Sequence, residues 1–237
     1  RYSRSAKCKR ACFCPRLFIS LFLRTATLGQ TESAVNPAYV NIHTHRPTGC
    51  GIELRTAGIH PWEAGRIGPD EWDRLAAELD RGDAQAVGEI GLDFVRAADN
   101  GTRQAQIELF RAQLTLACER RLPVVLHCVR AFAETMRLLR EQEPRAVIFH
   151  GFIGSPEQAR QAWEKGYCLS FGERTFASPR TIGAIQNTPL SQLFLETDDS
   201  ETPIETIYAR AAALLRVTTG ELQRATTENY ERIFIHG

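Results

Sequence analysis

The 237-residue sequence lacks a long apolar run, an internal repeat and any strong charge bias. The apolar run at 17–23 is far shorter than the roughly 20 residues that a membrane-spanning helix needs. A net charge of +1 does not indicate a protein whose whole surface binds nucleic acid through positive charge. Hydrophobic residues at 43% and charged residues at 24% are ordinary for a globular domain. We therefore expect one sizeable core and one domain.

Cysteines in paired spacing are also missing. The seven cysteines are odd in number, and Cys8, Cys12 and Cys14 have no second ligand pair nearby. This distribution argues against a disulfide framework and predicts free thiols in a reducing compartment. We accordingly expect a cytoplasmic protein, and no pattern points to a membrane or to an obligate protein partner.

Residues 1–37 do not resemble part of a fold. Residues 1–24 carry basic but no acidic side chains, and the apolar run at 17–23 is signal-like but is followed by Arg24. Residues 25–37 are polar and show no period. We interpret 1–37 as a disordered basic extension. Two alternatives for this segment are an export signal and translated sequence upstream of the true start.

From Ala38 onward, short β-rich runs alternate with helical stretches, which predicts parallel strands joined by crossover helices. Seven strands are predicted, at 38–42, 56–59, 86–90, 123–127, 146–149, 167–171 and 193–196. One of the helices is predicted to begin at Ser155-Pro156, an N-cap followed by proline, and to end near Gly166. These units predict 38–237 as an α/β domain, a distorted TIM-type (β/α) barrel of seven strands. An open doubly wound sheet is the alternative.

Chemistry-bearing residues stand at the carboxyl ends of the predicted strands. Five of the six histidines and two carboxylates occupy this position: His43, His45, His60, Glu89, His127, His150 and Asp198. Each alone has a structural explanation, such as a hydrogen-bonded histidine or a helix cap. A barrel, however, gathers all carboxyl strand ends on one face, so together they predict one site.

Glu89 is the centre of this prediction. It ends a β-type run and is flanked by Gly88 and Gly91, which allow close approach of other groups. A carboxylate in that position is costly without a positive partner, so we interpret Glu89 as a metal bridge. Mixed imidazole and carboxylate ligands favour Zn²⁺, Mn²⁺ or Fe²⁺ over Mg²⁺. The absence of cysteine at these positions argues against a closed structural zinc site.

The chain resembles the TatD family of metal-dependent hydrolases. The matching stretches run in order as Asn-Ile-His-Thr-His (41–45), Gly-Ile-His-Pro-Trp (58–62), Gly-Glu-Ile-Gly-Leu-Asp-Phe (88–94), Pro-Val-Val-Leu-His (123–127), Phe-His-Gly-Phe-Ile-Gly-Ser (149–155), Leu-Glu-Thr-Asp (195–198) and Thr-Glu-Asn-Tyr-Glu-Arg-Ile-Phe (227–234). The resemblance implies a distorted TIM barrel with one or two divalent ions (Zn, Mn or Mg) that hydrolyses phosphodiesters, typically as a deoxyribonuclease.

The resemblance also implies roles for individual residues. His43, His45 and Asp198 would hold the first ion, Glu89 would bridge, and His127 and His150 would hold the second. His60 would line the site beside the scissile phosphate without binding metal. Asp93, past the end of the strand, is expected to order its loop and to support the ligands from behind.

Three departures from the family pattern concern the substrate side. Only the 14 residues 46–59 separate His45 from His60, which predicts a seven-stranded or locally open barrel. Val129 stands where the family often has arginine, and Arg130 follows it. The last motif continues as Asp198-Asp199-Ser200 in place of a small residue and proline.

The resulting hypothesis is hydrolysis of DNA by a water activated between two ions, with Asp198, Glu89 and His60 as the catalytic residues. Asp198 would accept the proton. Arg46, Arg130 and Arg174 follow strand ends and either hold flanking phosphates or are ordinary rim charges. Two alternatives remain at this stage. One is a hydrolase of the same fold acting on a small amide, lactone or phosphoester, and the other is a metal-free binding protein.

Overall fold

The computed structural model describes residues 38–236. The predicted basic extension at 1–37 lies outside the described residues. The strands are β1 Val40–Asn41, β2 Ile52–Glu53, β3 Thr56–Ala57, β4 Ala86–Asp93, β5 Val124–Val129, β6 Val147–Phe149, β7 Cys168–Phe171 and β8 Leu193–Leu195. The helices are α1 Pro69–Asp80, α2 Asn100–Glu119, α3 Phe132–Leu139, α4 Pro156–Trp163, α5 Pro179–Asn187, α6 Ile204–Leu215 and α7 Thr219–Tyr230. Short 3₁₀ turns at Pro61–Glu63, Glu173–Ala177 and Leu190–Gln192 and a π-helical turn at Glu231–Ile235 complete the description.

All strand pairs are parallel and form one eight-stranded sheet in the order β2-β1-β8-β7-β6-β5-β4-β3. The two edge strands, β2 and β3, are separated in the chain by only Leu54 and Arg55. Three Cα–Cα steps span at most about 11 Å, so this link draws the two edges of the sheet together. The sheet is therefore curled into a barrel that has one open seam, between β2 and β3.

The predicted fold class is confirmed, whereas the predicted strand number of seven was wrong. The additional strand is β2, whose Ile52 and Glu53 pair with Val40 and Asn41. It is only two residues long and half-buried, so neither a β-rich run nor an alternating pattern marks it in the sequence. The short segment after β1 thus supplies an edge strand but no helix, and the seam results.

Local signals account for the helix boundaries near the site. The Ser155 hydroxyl accepts the Gln158 N–H at 3.2 Å, while the Gln158 side chain accepts the Ser155 N–H at 3.1 Å. Pro156 occupies the first helical position, where its missing N–H costs nothing. The predicted start of α4 is confirmed, and the chain leaves it through Gly166 at φ +81°.

The core forms two layers because successive strand residues point to opposite faces. One face packs against the helices through residues such as Val87, Leu126 and Phe149. The other fills the inside of the curled sheet with Val40, Ile42, Ala86, Val125, Ile148, Cys168 and Phe194, and Tyr230 and Ile233 pack against it. A filled interior leaves the strand ends as the place where polar side chains can converge.

Two further expectations concern thiols and membranes. Cys50, Cys118, Cys128 and Cys168 are free in the described part of the chain, in keeping with the predicted absence of a disulfide framework there. Within residues 38–236, none of the helices combines the length and the apolar character that a bilayer crossing demands. The cytoplasmic location stays a prediction.

Candidate metal centre

The seven predicted site residues come together at the carboxyl ends of the strands. His43 and His45 follow β1, His60 follows β3, Glu89 and His127 lie within β4 and β5, and His150 and Asp198 follow β6 and β8. Nitrogen and oxygen atoms of His43, His45 and Glu89 lie within 4.8 Å of one another, as do those of His60, Glu89 and His127. Glu89 is thus common to two potential ligand groups.

Glu89 reaches this position through an irregularity in its strand. The register between β4 and β5 shifts between Val87 and Ile90, so one extra residue of β4 lies there. Such a bulge re-aims a side chain out of the regular alternation. The flanking glycines fit the same geometry: a Cβ on Gly88 would lie 2.7 Å from the Cβ of Val125, and one on Gly91 would collide with the carbonyl oxygen of His127.

The two carboxylate oxygens of Glu89 face different histidines. Oε1 lies 2.5 Å from Nδ1 of His127, 2.6 Å from Nε2 of His150 and 3.4 Å from Nε2 of His60. Oε2 lies 3.3 Å from Nε2 of His43 and 3.6 Å from Nε2 of His45. This division is the arrangement that a bridging carboxylate requires.

Backbone pairing holds Asp198 beside the two histidines after β1. The Asp198 N–H donates to the His43 carbonyl at 3.1 Å, and the His45 N–H donates to the Asp198 carbonyl at 3.2 Å. The sheet continues here as a parallel bridge between Thr44 and Asp198. Oδ1 of Asp198 consequently lies 3.8 Å and 3.6 Å from Nε2 of His43 and His45.

His127 and His150 each stand between two carboxylates. His127 presents Nδ1 to Glu89 and Nε2 to Asp93, the latter at 3.3 Å. His150 presents Nε2 to Glu89 and Nδ1 to Glu196, the latter at 3.4 Å. A neutral imidazole has only one N–H, so its other nitrogen would turn a lone pair toward a carboxylate. That nitrogen needs either a proton or a metal cation.

The residues fit a divalent ion in two further respects. Nε2 of His43 is buried and makes no hydrogen bond with any residue of 38–236, although Oε2 of Glu89 is 3.3 Å away. Two ligands at about 2.1 Å from one ion lie roughly 3.0–3.4 Å apart at octahedral or tetrahedral angles. The donor set of imidazoles and carboxylates without cysteine is one that Zn²⁺ or Mn²⁺ accepts.

His60 differs from the other histidines in its hydrogen bonding. Its Nδ1 accepts the Trp62 N–H at 3.2 Å, so the neutral ring carries its proton on Nε2, the nitrogen nearer Glu89. A protonated nitrogen donates a hydrogen bond and cannot bind a metal ion. This geometry supports the predicted role of His60 as a donor that lines the site.

The charges of the centre shift two carboxyl groups in opposite directions. Burial opposes ionisation of Glu89, but the hydrogen bonds with His127 and His150 and the close imidazoles of His43 and His60 outweigh it and hold the pKa of Glu89 far below the usual range. For Asp198, burial and then the charge of Glu196 raise the pKa, only partly offset by His150 and His43. Glu89 is therefore a permanent anion, whereas Asp198 is the more readily protonated carboxylate.

Sequence reasoning missed Glu196 and Asp199. Glu196 is 0% exposed, contacts Nδ1 of His150 through Oε1, and has no partner for Oε2 in the described part of the chain. Asp199 joins His45 and Asp198 in a further group of closely spaced ligand atoms. Their position directly after β8 could have marked them as site candidates. The sequence does not show which of the acidic residues after β8 is buried, because that depends on the backbone path beyond the strand.

Asp93 occupies the supporting position predicted for it. Its Oδ1 accepts the N–H groups of Val95 and Arg96, each at 3.0 Å, and its Oδ2 accepts the Trp62 indole N–H at 2.8 Å. The same Oδ2 lies 3.3 Å from Nε2 of His127. Asp93 thereby orders the loop after β4 and holds the far side of the His127 ring.

A cavity of about 500 Å³ opens onto the centre, and arginines stand on its wall. Arg130 and Arg174 line it together with His127, His150 and Asp198. Arg46, which the sequence also offered as a phosphate contact, is instead paired with Glu201 at 2.8 Å and does not line this cavity. Of the two predicted roles of Arg46, phosphate contact or ordinary rim charge, the structure favours the rim charge.

A curled parallel barrel with imidazoles and carboxylates converging at its strand ends defines the class of metal-dependent hydrolases built on TIM-type folds. A family model described as TatD related DNase matches residues 52–235. The chain belongs to the TatD family of metal-dependent hydrolases.

The chain is similar in sequence to proteins from three bacteria. The chain is 32% identical over 196 residues to the uncharacterized metal-dependent hydrolase YjjV of Escherichia coli, covering 75% of this chain and 74% of that protein. The crystal structure of YJJV, a TatD homologue, matches with a TM-score of 0.70 at 28% identity, over 77% of this chain and 76% of that chain. YabD of Bacillus subtilis, named an uncharacterized metal-dependent hydrolase, is 30% identical over 168 residues and 63% of this chain. The Dickeya dadantii protein named 3'-5' ssDNA/RNA exonuclease TatD is 36% identical over 160 residues and 64% of this chain.

The match does not extend over the full length of every relative. The chain spans 64% of the Bacillus subtilis protein and 58% of the Dickeya dadantii protein.

Proposed function

We propose that this protein is a divalent-metal-dependent phosphodiesterase that hydrolyses single-stranded DNA. The observation that carries the proposal is the division of the Glu89 carboxylate, with Oε1 turned to His127 and His150 and Oε2 turned to His43 and His45. Such a carboxylate, shared by two sets of imidazoles, would hold two divalent ions.

The proposed metal ligands are His43, His45, Glu89, His127, His150 and Asp198. Two ions held by them would supply a water of lowered pKa and neutralise the charge that develops on the phosphate. The protein's own part is to hold the imidazoles in the correct tautomer. Asp93 and Glu196 support this by facing the far nitrogens of His127 and His150.

Asp198 and His60 are the residues proposed to handle protons. The Asp198 side chain is 24% exposed, against 9% for Glu89, and it lines the open cavity, so it can reach a water that attacks the phosphate. It would accept the proton of that water. His60 would donate its Nε2–H to a phosphate oxygen, because Trp62 keeps its Nδ1 as the acceptor.

Two observations favour a nucleic acid strand as substrate. Arg130 and Arg174 line the cavity beside the centre, and a guanidinium binds phosphate through paired hydrogen bonds. A relative of this chain also carries the name of a single-stranded DNA and RNA exonuclease. The name belongs to that protein, and we extend it to this one as part of the proposal.

The decisive experiment replaces Glu89 by glutamine, which keeps the shape and removes the charge. We expect metal content, measured by mass spectrometry of purified protein, and cleavage of a labelled single-stranded oligonucleotide to fall together, activity by more than about 100-fold. Glu228→Gln, at an exposed position on α7, is the matched control and should retain both. Full metal content together with full activity in Glu89→Gln would refute the proposal.

A small phosphoester, amide or lactone is the second candidate substrate. Glu173 and Asp199 line the same cavity as the arginines, and carboxylates there repel a polyanionic strand. A panel of small esters, lactones and amides tested beside the oligonucleotide decides between the two. Turnover on the panel without cleavage of DNA would favour the second candidate.

A further inference from the structure

A second groove opens beside the cavity of the metal centre. It encloses about 530 Å³, a volume typical of small-ligand pockets, and shares Arg130, His150 and Ile153 with the first cavity. Its far end is formed where α4 and α5 begin, by Gln158 and Arg180. We call this space the Arg180 groove. Because it adjoins the first cavity and shares lining residues with it, a ligand that extends beyond the metal centre can reach it.

The charge of the Arg180 groove is positive. Of the described residues that line it, the side chains with a permanent charge are Arg130 and Arg180, and none is a carboxylate. Nη2 of Arg180 donates to Oε1 of Gln158 at 2.9 Å, a neutral partner that orients the guanidinium but does not neutralise it. Within residues 38–236, neither arginine is among those that form ion pairs. Glu157, on the first turn of α4, interacts electrostatically with Arg180 but lies beyond ion-pair distance and does not line the groove. Both arginines therefore remain available to an anion.

The positions of these two arginines are locally unfavourable. Arg180 is the second residue of α5, where the positive end of the helix dipole disfavours a cation. Arg130 has φ +54°, in the left-handed region that side chains other than glycine rarely adopt. Placements that cost local stability are characteristic of functional sites, and here both bring positive charge to one groove.

The groove also offers apolar surface. Ile153 is 56% exposed at the boundary with the first cavity, and Phe132 and Phe152 form the wall behind it. Apolar and aromatic surface next to a cationic wall is the combination by which proteins hold single-stranded nucleic acid, with the phosphates on the arginines and the bases on the apolar side chains.

We propose that the Arg180 groove binds the nucleotide that adjoins the scissile phosphodiester, with its phosphate on Arg130 and Arg180 and its base or sugar against Ile153. The inference rests on the proposed function, which it deepens by assigning the protein a substrate longer than one nucleotide.

The test measures binding, so that it does not depend on turnover. The probes are a single-stranded tetranucleotide with phosphorothioate linkages, which resists hydrolysis, and thymidine 5'-monophosphate as a ligand too short to fill both sites. For Arg180→Gln we expect affinity for the tetranucleotide to fall roughly 10-fold and affinity for the mononucleotide to fall less than about twofold. The slope of log K against log salt should decrease by about 0.7, the value for one phosphate contact on a single strand.

Two further variants separate a phosphate contact from a structural role. Arg180→Lys keeps the charge and is expected to retain the salt slope while losing part of the affinity. Arg224 is an exposed arginine on α7 that lines neither cavity, so Arg224→Gln makes the same change elsewhere and should bind both probes as the wild type does. Thermal unfolding of each variant verifies that the fold is intact.

The outcomes for the groove and for the proposed function are distinct. Hydrolysis of the unmodified tetranucleotide with Zn²⁺, Mn²⁺ or Mg²⁺ is measured separately, and its absence would contradict the proposed function while the binding ratio still tests the groove. The groove is refuted if the wild type binds the tetranucleotide no more tightly than the mononucleotide, or if folded Arg180→Gln keeps the wild-type ratio and salt slope.

Discussion

Replacing Glu196 by glutamine tests whether this buried carboxylate orients His150 for metal binding. Glu196 is 0% exposed, and its Oε1 lies 3.4 Å from Nδ1 of His150, whose Nε2 lies 2.6 Å from Glu89. For Nε2 to bind a cation, the proton of the ring must stay on Nδ1, and a carboxylate is the acceptor that keeps it there. Glutamine preserves the volume but supplies a weaker, neutral acceptor.

The size of the effect follows from the geometry. At an effective dielectric constant of 20, a carboxylate and a full positive charge 3.4 Å apart attract each other by about 5 kcal/mol. This is an upper bound, because a metal-bound His150 ring carries only part of such a charge and both groups are desolvated. Loss of a carboxylate behind a metal-binding histidine typically costs about 10–100-fold in metal affinity, or about 1.4–2.7 kcal/mol. We expect Glu196→Gln to lower the affinity for one ion by an amount within this range.

The assay is a competition titration of metal-free protein with Zn²⁺ or Mn²⁺ against a chromophoric chelator. Glu228→Gln, which removes a carboxylate at an exposed position, serves as the control for net charge. Since Oε2 of Glu196 has no partner among the described residues, the metal-free fold should lose at most about 1 kcal/mol. Wild-type metal affinity in a folded Glu196→Gln protein would refute the orienting role.

Two other predictions concern stability. Removing divalent ions with a chelator should lower the unfolding temperature, because an ion at 1,000 times its Kd stabilises the folded state by about 4.1 kcal/mol. An unfolding temperature that changes with neither chelator nor added metal would contradict a bound ion. Tyr208→Phe should cost about 1–3 kcal/mol in urea unfolding, because the buried hydroxyl accepts the Val40 N–H at 3.0 Å and lies 2.7 Å from Oγ1 of Thr226. A loss below about 0.5 kcal/mol would show that these groups find other partners.

The convergence of the site residues could be predicted because it depends on topology alone. Once alternating β and α segments indicate parallel strands in a barrel, every carboxyl strand end lies on one face, whatever the details of packing. His127 and His150 lie 38 and 61 residues after Glu89 in the chain, and both reach its Oε1 within 2.6 Å. The family resemblance added the roles, which the measurements above are designed to test.

What could not be predicted depends on local backbone geometry and on burial. The strand β2 is two residues long and is stabilised by its pairing with β1, so no periodicity reveals it. Arg46 and Arg130 look alike in sequence as basic residues after strand ends. Only the structure shows that Arg46 is paired with Glu201 whereas Arg130 faces the cavity.

The grouping of the ligands is a second limit of the sequence. The resemblance assigned His127 and His150 to one ion, and both rings face Oε1 of Glu89. The structure adds that His60 lies beside His127 and that His150 also lies close to His43 and Asp198. The order of strands around the barrel brings these rings together, and their spacing follows from side-chain rotamers that no motif records.

The sequence by itself determined the class of fold, the carboxylate at its centre and the face on which the histidines meet. These properties follow from hydrophobic periodicity and from the parallel direction of the strands, which are encoded locally. Only the tertiary structure decided that Glu89 divides its two oxygens between sets of imidazoles, that Glu196 lies buried behind His150, and that Arg180 lines a second groove beside the metal centre. These are relations between side chains far apart in the chain, and they exist only when the sheet has curled and the bulge in β4 has turned Glu89 toward them.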